Sequence, residues 1–211
     1  MPTSDATNVR TRIADTARSL FLRYGSRGTT MDTIADELHM SKRTIYEHFD
    51  DKEALVVACV QRRLDIARAE CQSALDRGEH AIEQLLALLV VSLRHIHQAN
   101  PTFWLDIKGQ YPSAWTLVET YWHEKRRDDV VALLEAGIEA GLLRPEIDCD
   151  IVAPLLLAQL DLLSDPDVFA GERYERSTLI RHALLPLIRG LATDQGRAHL
   201  QTYADEKTLS L

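Results

Sequence analysis

The chain is predicted to be all-α, and three observations carry that prediction. Glycine (9) and proline (7) are scarce among 211 residues, so few positions interrupt a helix. Apolar residues recur at i, i+3, i+4 and i+7 along most of the chain, the period of a helix with one buried face. No segment shows the apolar–polar alternation of a half-buried strand. Three N-terminal helices followed by a larger helical region, about nine helices in all, account for the pattern.

Ile13, Ala17, Leu20, Phe21 and Tyr24 fall on one face of a first helix, which Gly25 and Gly28 end. Thr29 and Thr30 supply a cap for a second, with Met31, Ile34, Ala35 and Leu38 as its apolar stripe. After a break at His39-Met40, Ser41 caps a short third helix that turns Ile45 and Phe49 to the core. Asp50 followed by Glu53 reads as a capping-box variant that opens a long fourth helix over 52–75. A fifth runs over 81–98, a short sixth over 102–108 and a long seventh over 113–140. Ile151–Leu163 is apolar nearly all round, which implies burial on more than one side. A ninth helix spans 174–191, and the polar residues from about Gln195 onward are expected to fray.

Composition narrows the function. Hydrophobic residues make up 45% and charged residues 27%, the balance of an ordinary globular domain rather than a disordered tail. No apolar run approaches the roughly 20 residues that span a bilayer. The N-terminus lacks the basic start and apolar core of a signal peptide, so cytoplasm is the expected compartment. Three cysteines (Cys59, Cys71, Cys149) show no metal-ligand spacing. Cys59 and Cys71 would lie about 18 Å apart along one helix, too far for a disulfide. His95 and His97 point apart on a helix, and Asp106 and His123 have no supporting spacing. No metal site and no cofactor is therefore expected. The net charge is −8, but the acidity is concentrated in residues 53–211. The near-neutral N-terminal part stays open to a nucleic-acid role if its cations share a face.

Residues 29–52 carry the most information. Two short helices joined by a tight turn and supported by a preceding helix form a helix-turn-helix. The pattern Thr30-x-x-x-Ile34-Ala35-x-x-Leu38-x-Met40-Ser41-x-x-Thr44-Ile45-Tyr46-x-His48-Phe49-x-x-Lys52-x-x-Leu55 resembles the N-terminal domain of the tetracycline-repressor (TetR) family. With the first helix and its Phe21-x-x-Tyr24-Gly25 ending, the resemblance covers about 45 residues; the remainder is similar only in architecture. One departure is His39, where many relatives carry glycine in a turn that needs positive φ.

The resemblance implies a DNA-binding domain over 1–52 and a helical effector-binding and dimerisation domain over 53–211. Thr30, at a helix N-terminus, would bind a phosphate. Lys42 and Arg43 would read bases, with arginine able to donate bidentately to guanine. Thr44 would touch a thymine methyl or a phosphate. Tyr46, His48 and Lys52 would hold backbone phosphates, setting register. The helices over 151–163 and 174–191 would pair with those of a second copy to make a homodimer, in preference to filling the core of one chain.

His95, Trp104, Tyr111, Trp115, Tyr121 and Trp122 mark the region of an effector pocket suited to a mostly apolar ligand. Trp115 and Trp122, seven apart, also suit an ordinary core. The function implied is a ligand-responsive transcription regulator, a repressor released from a palindromic operator when effector binding tilts the fourth helix. Two other readings compete: a helical enzyme acting on an apolar substrate, and an architectural DNA binder or protein-interaction module without an effector. Against the enzyme, the sequence has no nucleophile motif, phosphate loop or paired helical metal ligands.

Overall fold

The computed structural model describes residues 4–97, 101–165, 168–169 and 174–207. Among these the regular structure is helical, apart from one isolated antiparallel bridge between Leu143 and Ala192. The chain divides into two compact units, Met1–Ile66 with Gln98–Trp122, and Ala67–His97 with His123–Leu211.

In the first unit, α1 (Ser4–Gly28) is broken at Gly25, whose φ of 75° and ψ of 165° suit glycine alone. Ile13, Ala17 and Phe21 are fully buried along it. The Thr30 side chain caps α2 (Met31–Leu38) by accepting the Thr33 N–H. At its other end Met40 N–H donates to the Ala35 carbonyl and His39 N–H to that of Asp36, a Schellman ending. His39 is left-handed there, with φ 53°, as its place in the turn predicted. Ser41 caps α3 (Lys42–Tyr46), accepting the Thr44 N–H at 3.1 Å. Ile45 and Phe49 are buried. The cap of α4 (Lys52–Arg77) is Asp51 rather than Asp50: its carboxylate accepts the Ala54 N–H at 2.7 Å, three residues on, where an N-cap reaches. Helix α6 (Pro101–Gln110) packs on α1 and on α7 (Pro112–Glu119), with Phe103 of α6 stacked 6.5 Å from Phe21 of α1.

The second unit is built round α5 (Ala81–His97), whose residues 85–91 are all buried. Helices α8 (Arg126–Glu139), α9 (Cys149–Ser164) and α12 (Asp194–Lys207) pack on it. The expected helix over 113–140 is interrupted by a π-helical stretch, Thr120–Lys125, between α7 and α8. The expected ninth helix is α10 (Arg176–Leu179), a π-helical stretch Ile180–Leu184, and α11 (Leu185–Leu191). Pro186 offers no N–H to the preceding turn, so the ladder is interrupted there.

Two further expectations need correction. Ile151–Leu163 is not buried all round: Ala153, Leu156, Leu160 and Leu163 are buried, while Ile151, Leu155 and Leu162 are 60%, 61% and 50% exposed. The segment after Gln195 does not fray at once but forms α12, as far as Lys207. Its few apolar residues conceal it from periodicity, yet Leu200 is fully buried. Gly196 lets it approach closely, since a Cβ there would lie 2.0 Å from the Leu142 carbonyl oxygen. No helix among the described residues is long and apolar enough to cross a membrane.

Candidate nucleic-acid interface

The start of α3 carries the exposed cations. Ser41 fixes the helix N-terminus, so Lys42 and Arg43 project from its first turn, with the Arg43 side chain 90% exposed. Lys42 pairs with Asp32 of α2 at 2.9 Å, and Arg43 with Glu47 at 3.2 Å. Hydrogen bonding to the Asp32 carboxylate raises the Lys42 pKa above its ordinary value, so the ammonium stays charged. Exposed pairs of this kind contribute little to stability. Thr44 is half-buried, with its hydroxyl 2.8 Å from that of Ser41, and Tyr46 is exposed. Thr30 is exposed, its hydroxyl 2.9 Å from that of Thr33.

Lys52 is held more firmly, and so is the backbone at His48. His48 is half-buried, and its carbonyl accepts from the Arg10 guanidinium, which lies 4.1 Å over the Phe49 ring. Lys52 Nζ donates to the Ser26 carbonyl at 2.6 Å, and partial burial lowers its pKa. Its ammonium thus braces the last turn of α1, beyond the Gly25 break, which leads into α2.

That turn has a second anchor, which sequence reasoning passed over. Asp106 of α6, buried, accepts the Ser26 N–H at 3.0 Å, the Ser26 hydroxyl at 2.9 Å and the Arg27 N–H at 3.1 Å. The Arg27 guanidinium lies 3.2 Å from its other oxygen. Burial pushes the Asp106 pKa up, but these donors outweigh it and leave the carboxyl below its usual range. The only clue in the sequence was an acid within an otherwise apolar stretch of α6.

The expected effector residues fall in different units. In the first, half-buried Trp104 meets Phe103 edge-to-face at 5.0 Å, and the buried Arg63 guanidinium lies 5.8 Å over it. Tyr111 is buried at the start of α7; Trp115 is half-buried under Lys108 Nζ at 5.3 Å. Tyr121, buried, meets Trp122 edge-to-face at 5.1 Å. His95 belongs to the second unit, buried, with Nε2 3.1 Å from Glu70 of α4. The side chain of His97 lies outside the described residues. Arg126, also in the second unit, is buried beside Asp129 and Cys71, at 3.3 and 3.2 Å. Burial pushes the Cys59 and Cys149 thiols up, away from thiolate reactivity.

Two capped short helices at a fixed turn, cations at the start of the second and a bracing first helix define a helix-turn-helix protein. Residues 13–59 match the family described as bacterial regulatory proteins, tetR family. The chain is 32% identical over 194 residues to the HTH-type transcriptional regulator UidR of Escherichia coli K12, covering 90% of this chain and 96% of that one. It is 29% identical over 147 residues to the HTH-type transcriptional repressor KstR2 of Mycobacterium tuberculosis, covering 68% and 73%. The fold resembles that of AibR, solved with isovaleryl coenzyme A and operator DNA, with a TM-score of 0.62, 20% identity and 86% and 97% coverage. The chain belongs to the tetR family of bacterial regulatory proteins. Its relatives are transcriptional regulators rather than enzymes.

Proposed function

We propose that the protein is a homodimeric repressor that binds a palindromic operator and is released by a small, mostly apolar effector. The observation that carries the reading is the exposure of Lys42 and Arg43 on the first turn of capped helix α3. A helix presented this way enters the major groove with its N-terminal side chains at the base edges. Lys42 and Arg43 read bases; Thr30, Thr44, Tyr46 and His48 position the phosphate backbone. Lys52 serves this set from behind, bracing the Ser26 turn. Residues 1–52 act as the DNA-binding domain and 53–211 as the effector-binding and dimerisation domain, in a cytoplasmic protein.

The exposed stripe Ile151, Leu155 and Leu162 on α9, with Leu187 on α11, supports dimerisation. Spacings of four and seven place the α9 residues on one face, and a second copy of that face supplies the apolar cover. A dimer in turn spans two half-sites. Trp104, Tyr111, Trp115, Tyr121 and Trp122 of the first unit remain the proposed effector-contacting set, with His95 of the second a separate candidate. KstR2 is named a repressor and AibR was solved with both an acyl thioester and operator DNA, which supports effector-controlled repression here. Effector binding must favour the state that does not fit DNA, since equal affinity for both states shifts nothing.

Selection of bound duplexes from a random library, followed by titration at several salt concentrations, tests this. The reading predicts an inverted repeat whose affinity falls steeply with salt. Failure to enrich any site with effector-free protein would remove it.

A further inference from the structure

We propose that His80, Glu83 and His199 form a site for a divalent transition-metal ion, zinc above others, that fastens α12 to the first turn of α5. The proposal is independent of the DNA-binding reading, since none of these residues belongs to the DNA-facing set.

The three residues each offer a ligand atom, and those atoms all lie within 4.8 Å of one another. His199 Nδ1 is 3.8 Å from Glu83 Oε1, and the two imidazole centroids are 4.2 Å apart at 69°. Nitrogen and oxygen ligands of a tetrahedral zinc, bonded at about 2.0–2.2 Å, sit about 3.3 Å from one another. Small side-chain rotations close the gap, because all three residues are only partly buried.

The backbone delivers the set. The His80 carbonyl accepts the N–H groups of Glu83 and Gln84, each at 3.0 Å, so His80 and Glu83 sit one turn apart on a shared face. Glu83 Oε2 accepts the Glu79 N–H at 3.0 Å. That bond orients the carboxylate as outer-shell partners orient metal ligands, and leaves Oε1 toward His199. On α12, a Cβ at Gly196 would lie 3.2 Å from Ile82 Cδ1. The bare glycine thus lets α12 close on α5, and His199, one turn further along, is carried to the other two ligands.

Two imidazoles and one carboxylate suit zinc, nickel or copper, whereas magnesium and calcium favour all-oxygen shells. Three protein ligands leave one tetrahedral position for water. Such an ion would cross-link segments remote in sequence, which is why ligand spacing along the chain shows no trace of it.

The test uses untagged full-length protein stripped of metal with a chelator, titrated with Zn2+ by calorimetry. Wild type is expected to bind one zinc per chain at this site and to melt at higher temperature with zinc than without. His199→Ala and His80→Ala are each expected to weaken that binding by about tenfold or more and to abolish the thermal shift, while Mg2+ leaves wild type unchanged. Co2+ should show the strong visible bands of a four-coordinate ion in wild type and lose them in His199→Ala. Should His80→Ala fail to fold, His199→Ala and the milder His199→Gln decide the matter. Equal zinc affinity in wild type and the His199 variants, or a Co2+ spectrum in wild type like that of the aquo ion, overturns the proposal.

Discussion

Asp106 holds Ser26 by both its backbone N–H and its hydroxyl, through one carboxylate oxygen at 3.0 and 2.9 Å. Helix α6 is thereby bonded to the turn that aims α2, so a displacement of α6 carries that turn with it. Removing the carboxylate with Asp106→Ala strands the buried Ser26 donors and is expected to cost about 2–3 kcal/mol. Denaturant unfolding at pH 7 checks this.

The same carboxylate sets an acid limb. Its folded pKa lies below the unfolded value, so its contribution is complete above the unfolded value, about 3.9, and is lost as pH falls through the folded one. Wild-type stability should fall more steeply than that of Asp106→Asn as pH drops below about 4. Parallel pH–stability curves in that range would contradict this assignment.

His39 holds a left-handed φ of 53° at the end of α2. Glycine adopts that conformation without a Cβ penalty, so His39→Gly is expected to stabilise the protein by about 1 kcal/mol. A raised denaturation midpoint at unchanged slope checks it; a β-branched residue there should lower the midpoint.

Lys42 shares its charge with Asp32 at 2.9 Å. Asp32→Asn frees the ammonium and removes a carboxylate near the phosphates, so DNA affinity should rise severalfold, most visibly at low salt. Fluorescence anisotropy on a labelled duplex measures it.

Leu155 stands 61% exposed in the middle of the α9 stripe. Leu155→Glu should leave each chain folded and shift the protein from dimer to monomer, since it buries an unpaired charge only in the paired form. Sedimentation velocity distinguishes the two.

Much of this was legible in the sequence, and the reasons are local. Thr30, Ser41, Ile45 and Phe49 announce caps and core through their immediate neighbours, and His39 announces its backbone angle by standing where a glycine serves. What stayed hidden depends on partners far along the chain. Asp106 meets Ser26 and Lys52 reaches the Ser26 carbonyl only once α1, α4 and α6 have come together. Among the described residues, Leu200 is the fully buried apolar side chain of α12 and Gly196 its point of close approach, too sparse a signal for any period. The π-helical stretch before Pro186 shifts which residues of that helix face inward, and no heptad count anticipates it. Hydrophobicity marks Ile151–Leu163 as needing cover, but only the fold shows that Ile151, Leu155 and Leu162 find none within the chain.

Whether α3 reads bases through Arg43 is decided by one comparison. The affinities of wild type and Arg43→Ala are measured for a selected operator and for a scrambled duplex at the same salt. Loss of a base-reading arginine should reduce the ratio between the two duplexes by about 10-fold, within the 1–3 kcal/mol of such a contact, while binding to the scrambled duplex weakens far less. An unchanged ratio would mean that Arg43 reads no base.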